Sequence, residues 1–140
     1  MQLPVKKLHP HAIIPQYAHH NDAAMDLFAV EEVSILSGQR VSVPIGIAVQ
    51  IPDGYVGLIW DKSGISQKTG LKTLGGVIDA GYRGEIFVGL FNTDDTTHTF
   101  LVGQKVAQIL IQKIERPEVV EVLELEDSSR GNGAFGSTGK

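Results

Sequence analysis

The chain has 140 residues, 42% of them hydrophobic, with twelve Lys+Arg against sixteen Asp+Glu and no cysteine. That length suits one core rather than two, and the apolar fraction excludes disorder of the whole chain. A formal charge of −4 lacks the footprint of a general nucleic-acid binder, and without thiols there is no disulfide scaffold, thiolate metal site or cysteine nucleophile.

Residues 1–10 contain no apolar run long enough for a signal peptide or a membrane span. The expectation is a soluble cytoplasmic protein with neither nucleic acid nor membrane as partner. His9, His11, His19 and His20 cluster early in the chain, but no carboxylate stands at ligand spacing, which argues against a structural metal site. Sixteen glycines, spread along the chain, interrupt apolar runs as turns between short strands do.

Short strands are expected at 33–36 and 97–101. The clearest strand covers 40–51, where Val41, Val43, Ile45, Ile47, Val49 and Ile51 alternate with Arg40, Ser42, Pro44, Gly46, Ala48 and Gln50. Pro44 cannot donate to a ladder and marks an edge or a bend. After the Pro52-Asp-Gly54 turn, 55–61 alternates through Val56, Leu58 and Trp60, and 84–92 through Ile86, Val88 and Leu90. Residues 104–114 fit either a helical stripe or a strand; their β-branched content and the flanking Gly103 and Pro117 favour the strand. The one expected helix is short, around 63–69. The fold class is therefore all-β, a barrel or sandwich.

Residues 126–140 differ from the rest. They hold four glycines and three serines with almost no apolar mass, too little to offset the entropy of ordering. A barrel domain at 1–125 followed by a mobile arm at 126–140 is the expected organisation. The arm carries Arg130 and Phe135, suited to an anion and a flat ring.

Two segments could carry chemistry. In Gly75-Gly-Val-Ile-Asp-Ala-Gly-Tyr-Arg-Gly84 an apolar pair delivers Asp79 to the mouth of a turn, where a carboxylate can act as base on a water. The alternative is a plain turn whose Asp bonds local backbone. In Asp61-Lys-Ser-Gly-Ile-Ser-Gln-Lys-Thr-Gly70, Lys62, Ser63 and the Gly64 amide could meet a phosphate where a helix begins. There the alternative is Ser63 as an ordinary N-cap. A Walker-type phosphate loop is absent, because its glycine would fall at Ala134.

In order, these segments resemble the homotrimeric dUTPase family. Its five motifs have counterparts at Ala23-Ala-Met-Asp-Leu-Phe-Ala29, Lys62-Ser-Gly-Ile-Ser-Gln-Lys-Thr-Gly70, Gly76-Val-Ile-Asp-Ala-Gly-Tyr-Arg-Gly84 running on to Asn92, Gly103-Gln-Lys-Val-Ala-Gln-Ile-Leu-Ile111, and Arg130-Gly-Asn-Gly-Ala-Phe-Gly-Ser-Thr-Gly139. The resemblance implies a jelly-roll-like β-barrel with one short helix and a flexible C-terminal arm. It also implies a homotrimer with shared active sites, in which the arm closes over a site on neighbouring subunits.

The implied reaction converts dUTP to dUMP and pyrophosphate by water attack on the α-phosphorus, keeping dUTP low and supplying dUMP for thymidylate synthesis. Asp79 matches the catalytic position, and Mg²⁺ is the implied cofactor, carried mainly by the triphosphate. Asp26 matches an aspartate associated with the water shell of that ion. Lys62, Ser63, Gly64, Gln108 and Arg130 match phosphate-contacting positions. Gly76, Val77 and Ile78 match a hairpin that pairs uracil through its backbone, and Tyr82 a wall against the sugar. Phe135 matches a ring that caps the base, with Gly136 and Ser137 beside it in the arm.

Three departures stand out: Lys62 where the family usually has Arg, and Ala24 and Ala134 where Gly is more usual. Two rivals share the scaffold. A dCTP deaminase places a catalytic glutamate where this chain has Gly89, and a regulatory dUTP-binding protein would lack chemistry that the residues here retain.

Overall fold

The computed structural model describes residues 1–133, so Phe135, Gly136 and Ser137 lie outside the described residues. The described chain is all-β apart from one helix. Its strands run β1 (Val5–Lys7), β2 (Met25–Phe28), β3 (Val33–Ile35), β4 (Arg40–Pro44), β5 (Ile47–Val49), β6 (Tyr55–Trp60), β7 (Leu71–Leu74), β8 (Val77–Ile78), β9 (Phe87–Asn92), β10 (His98–Phe100) and β11 (Lys105–Lys113). Helix α1 (Ser63–Thr69) lies between β6 and β7. All pairings are antiparallel, in sheets of order β2-β11-β6-β8, β4-β9-β7, β1-β5 and β3-β10. This is a jelly-roll-like arrangement wrapped about one core. No helix among the described residues is long and apolar enough to cross a membrane.

The period-two stretch at 40–51 is two strands, not one. It breaks where Pro44 ends β4 and Gly46 takes a positive φ of 66°. A Cβ on Gly46 would lie 2.6 Å from that of His9, so the bend needs glycine sterically as well as conformationally. The alternation still sorts the faces: Val43, Ile45 and Ile47 are fully buried, and β5 pairs with β1 rather than continuing the β4 sheet. Residues 84–92 keep their expected phase, with Ile86, Val88 and Leu90 in the core. The ambiguous 104–114 stretch is the nine-residue strand β11.

Strand β6 keeps the expected alternation, and the structure shows which of its faces is inner. Ile59 is buried and paired opposite buried Ile109, while Leu58 is only half-buried and Trp60 is exposed. The face carrying Leu58 and Trp60 therefore opens outward along the strand, although Val56 at its start is buried. Gly57 lies on the core side, where Ile51 fills the space a side chain would need. Alternation reports two faces without saying which is inner; packing against β11 decides that.

Helix α1 has the expected bounds but no buried residue and no side-chain cap. A seven-residue helix is marginal in isolation, so its position depends on the chain at its two ends. At its C-terminus Gly70 adopts the left-handed conformation, and its carbonyl accepts the Thr93 hydroxyl at 2.6 Å. Buried Asn92 secures the same corner. Its amide donates to the Ile35 and Thr96 carbonyls at 3.0 and 2.7 Å, which satisfies a polar group that would otherwise be costly there.

Candidate active site

The register of β2, β11 and β6 sets three side chains abreast. Gln108 is paired opposite Asp26 on one side and opposite Trp60 on the other, so all three share a face. They border a cleft of about 410 Å³ that also takes in Ala24, Asp61 and Lys62. Ser63 and Gly64 follow directly and are exposed.

Asp26 is the buried charge of this cleft, 3% exposed. Its Oδ1 accepts a hydrogen bond from the Lys62 ammonium, and Lys105 Nζ stands 2.7 Å from Oδ2. The second pair has ion-pair distance without hydrogen-bond alignment, so Oδ2 is charge-compensated but lacks a directed donor. Burial pushes the carboxyl pKa up, yet the close Lys105 ammonium and the hydrogen-bonded Lys62 together outweigh it and hold Asp26 below its usual value. Lys105 was not among the residues picked out by the sequence. It reaches Asp26 because a bulge between Lys105 and Ala107 shifts the β2–β11 register by one and sets Lys105 opposite Phe28, on the Asp26 face.

The N-cap of α1 is Lys62, and Ser63 is the first helical residue, contrary to the reading of Ser63 as a cap. Gln108 donates from Nε2 to the Asp61 carbonyl at 2.7 Å. The Asp61 carboxylate in turn accepts the Thr73 amide at 2.7 Å and pairs with Lys72. Burial works to raise the Asp61 pKa, but the bonds from Lys72 and Thr73 prevail and keep it low.

A second cleft, of about 250 Å³, lies at the hairpin, lined by Val77, Ile78, Asp79, Tyr82, Glu85 and Phe87. Gly76 presses against β6: its carbonyl accepts the Ile59 amide at 2.8 Å, its φ is 100°, and a Cβ there would lie 2.7 Å from the Ile59 oxygen. Strand β8 pairs with β6 through Ile78–Gly57 and Val77–Leu58. The Tyr82 amide closes a turn on the Asp79 carbonyl at 3.0 Å, while the Asp79 carboxylate makes no hydrogen bond among the described residues. The plain-turn reading required that carboxylate to bond the local backbone. Tyr82 is held by its hydroxyl, which donates to the Glu85 carbonyl at 2.8 Å.

The two clefts share no lining residue. A smaller groove, of about 210 Å³, is bordered by Trp60, Thr73, Gly76 and Val77, and so shares one residue with each cleft. Arg130 borders neither cleft; its Nε donates to the Gly133 carbonyl at 2.7 Å within a local turn. No group of three or more His, Asp or Glu able to hold a metal occurs among the described residues. With both oxygens of Asp26 facing lysines, this donor set does not fit a divalent ion held by the protein itself.

A family model described as dUTPase matches residues 10–139. The deoxyuridine 5'-triphosphate nucleotidohydrolase of Thermobifida fusca (strain YX) is 46% identical over 142 residues, covering 99% of this chain and 79% of that protein. That of Clostridium kluyveri is 43% identical over 141 residues and covers 99% of each. Among solved structures, Staphylococcus bacteriophage 80alpha dUTPase with dUPNHPP matches with a TM-score of 0.93 at 32% identity, covering 99% of both chains. A mutant dUTPase from phage phi11 of S. aureus, described as revealing the coordination of a structural Mg(II) ion, matches with a TM-score of 0.85 at 31% identity, covering 91% of this chain and all of that one.

Proposed function

The chain belongs to the dUTPase family and hydrolyses dUTP to dUMP and pyrophosphate; we propose that Asp79 is the group that directs water onto the α-phosphorus. The observation that carries this reading is the unengaged, exposed carboxylate of Asp79 at the mouth of a cleft whose walls include Tyr82 and Val77. The water oxygen bonds to the α-phosphorus, its proton passes to the carboxylate, and the bond from that phosphorus to the bridging oxygen breaks. An ionised carboxylate is a weak base at neutral pH, so holding the water in line supplies much of the acceleration.

Base and sugar belong to the hairpin. Uracil pairs with the backbone of Gly76, Val77 and Ile78; cytosine, with a donor and an acceptor exchanged, would leave buried groups unpaired. Tyr82, pinned by its bond to Glu85, lies against the deoxyribose and leaves no room for a 2'-hydroxyl.

The phosphates belong to the other cleft, with Lys62, Ser63, Gly64 and Gln108 as its contacts. Mg²⁺ would be held mainly by the triphosphate and would neutralise charge on it as pyrophosphate leaves. Asp26 acts through Lys62 and Lys105. Were Mg²⁺ bound with the triphosphate, Asp26 would be the carboxylate nearest its water shell.

The functional unit is a homotrimer with each site shared between subunits. Two observations support this. The hairpin cleft and the phosphate cleft of one chain share no lining residue, and Val119, Val120, Val122, Leu123 and Leu125 are exposed in a segment that pairs with no strand among the described residues. An apolar run of that kind calls for a partner surface. Arg130, with Phe135, Gly136 and Ser137 beyond the described residues, comes from a neighbouring chain's arm to cover the nucleotide. Closed three-fold symmetry then gives three equivalent sites.

Deamination is disfavoured on space as well as chemistry: a Cβ on Gly89 would lie 3.0 Å from the Leu74 carbonyl oxygen, so that strand position is tight even for a methyl. The test compares the intact protein with Asp79→Asn on dUTP. Pyrophosphate release should fall by at least ~100-fold while nucleotide binding persists. Unchanged release would remove Asp79 from its role, and binding without release by the intact chain would favour a regulatory protein.

A further inference from the structure

Asp61 borders the phosphate cleft but belongs to none of the chemistry assigned above. It makes three contacts, one to β11 and two to β7. Its carbonyl oxygen accepts the Gln108 side-chain amide from β11, at 2.7 Å. Its Oδ1 accepts the backbone amide of Thr73 on β7, at 2.7 Å. Its Oδ2 pairs with the ammonium of Lys72 on the same strand. The side chain is 18% exposed, so the charge sits largely out of water and the bonds to it are stronger than surface contacts.

The segment after Asp61 needs such a fixture. Lys62, Ser63 and Gly64 lead into a helix with no buried residue and no side-chain cap. Only Ile65, half-buried, packs the helix onto the core, and no side chain of Lys62, Ser63 or Gly64 does, so core packing alone does not fix the distance between these residues and Gln108. At the far end the Thr93 hydroxyl holds Gly70. At the near end, among the described residues, Asp61 is the group that ties the helix entry to both neighbouring strands at once.

We propose that Asp61 is a positioning residue for triphosphate binding: its carboxylate, clamped to Lys72 and Thr73, holds the Lys62-Ser63-Gly64 segment and the Gln108 amide in one fixed arrangement at the phosphate cleft. The inference rests on the reading of that cleft as the phosphate site. Asp61 touches no substrate in it. The Asp61→Asn variant can still accept from the Thr73 amide but turns an N–H donor or a neutral oxygen toward Lys72, so the clamp loosens without losing volume. Lys72→Met breaks the same ion pair from an exposed position, 56% accessible, that poses no threat to folding.

Calorimetric binding of two probes to the full-length protein tests this. The non-hydrolysable triphosphate dUpNHpp needs both clefts; deoxyuridine needs the hairpin alone. Asp61→Asn and Lys72→Met should each weaken dUpNHpp about tenfold, the loss expected of a charge-assisted bond. Deoxyuridine affinity should not change. KM for dUTP should rise more than kcat falls, and the double variant should be no weaker than Asp61→Asn alone, because both changes break one clamp.

Equal weakening of both probes would make Asp61 a general structural residue and overturn the proposal. So would unchanged dUpNHpp affinity in both variants. Failure of the intact protein to bind dUpNHpp would overturn the underlying reading of the cleft, and this proposal with it.

Discussion

Lys105 Nζ lies 2.7 Å from Oδ2 of Asp26, and only a bulge puts it there. Had the β2–β11 register continued unshifted from the Gln108–Asp26 pair, Val106 would face Phe28 and Lys105 would lie on the opposite side of the strand. The bulge adds a second ammonium to a carboxylate already bonded to Lys62. The resulting triad carries one net positive charge at a cleft suited to phosphates.

The triad has a pH signature. Asp26 and Asp61 both have pKa values held below the ordinary 3.8 in the folded chain. At pH values around 3.8 the unfolded chain therefore binds more protons than the folded one. The stabilisation is complete above that range and is lost as pH falls through the lower folded values. Urea midpoints measured from about pH 6 down to about pH 3 should decline steeply at the acid end. Asp26→Asn should flatten that decline and cost about 1–3 kcal/mol near neutrality, less than a fully buried pair because both lysines are partly exposed. A variant as stable as the parent would show that the triad contributes no net stability.

Gly76 combines backbone strain with a proposed place in base recognition. With φ at 100° and the Ile59 carbonyl 2.7 Å from where a Cβ would lie, alanine there meets both an unfavourable conformation and a clash. Gly76→Ala should destabilise by about 2–3 kcal/mol and raise KM for dUTP as the β8 edge is pushed off β6. Chemical denaturation and steady-state kinetics on one preparation would read both. Normal KM in a destabilised variant would detach the hairpin edge from base recognition.

Metal removal should separate catalysis from folding. Because the described residues form no metal-holding cluster, chelation should leave the melting temperature of the ligand-free protein unchanged while it abolishes turnover of dUTP. Restored Mg²⁺ should recover activity at once. A fall in melting temperature on chelation would instead indicate a structural ion, as described for the phage phi11 enzyme.

Much of the molecule is legible in the order of its residues. Strict alternation at 84–92 and the β-branched run at 104–114 identify strands, because a pleated backbone sends neighbouring side chains to opposite faces whatever surrounds them. The helix at 63–69 and the bend at Pro44 are equally local. The cleft residues Asp26, Lys62 and Gln108 and the hairpin residues Asp79 and Tyr82 come from ordered motifs rather than from any single pattern.

What the chain order could not supply was relative placement. Which face of β6 is inner depends on Ile59 meeting Ile109, a partner fifty residues away. The Lys105 contact depends on a one-residue register shift that leaves no mark in composition. Asp61 reads as an ordinary strand-end residue until β7 and β11 close on it from both sides. Period and propensity are properties of a few consecutive residues, so the sequence by itself determined the elements and the chemical groups they carry. Register, bulges and buried ion pairs arise where distant strands meet, and only the tertiary structure decided those.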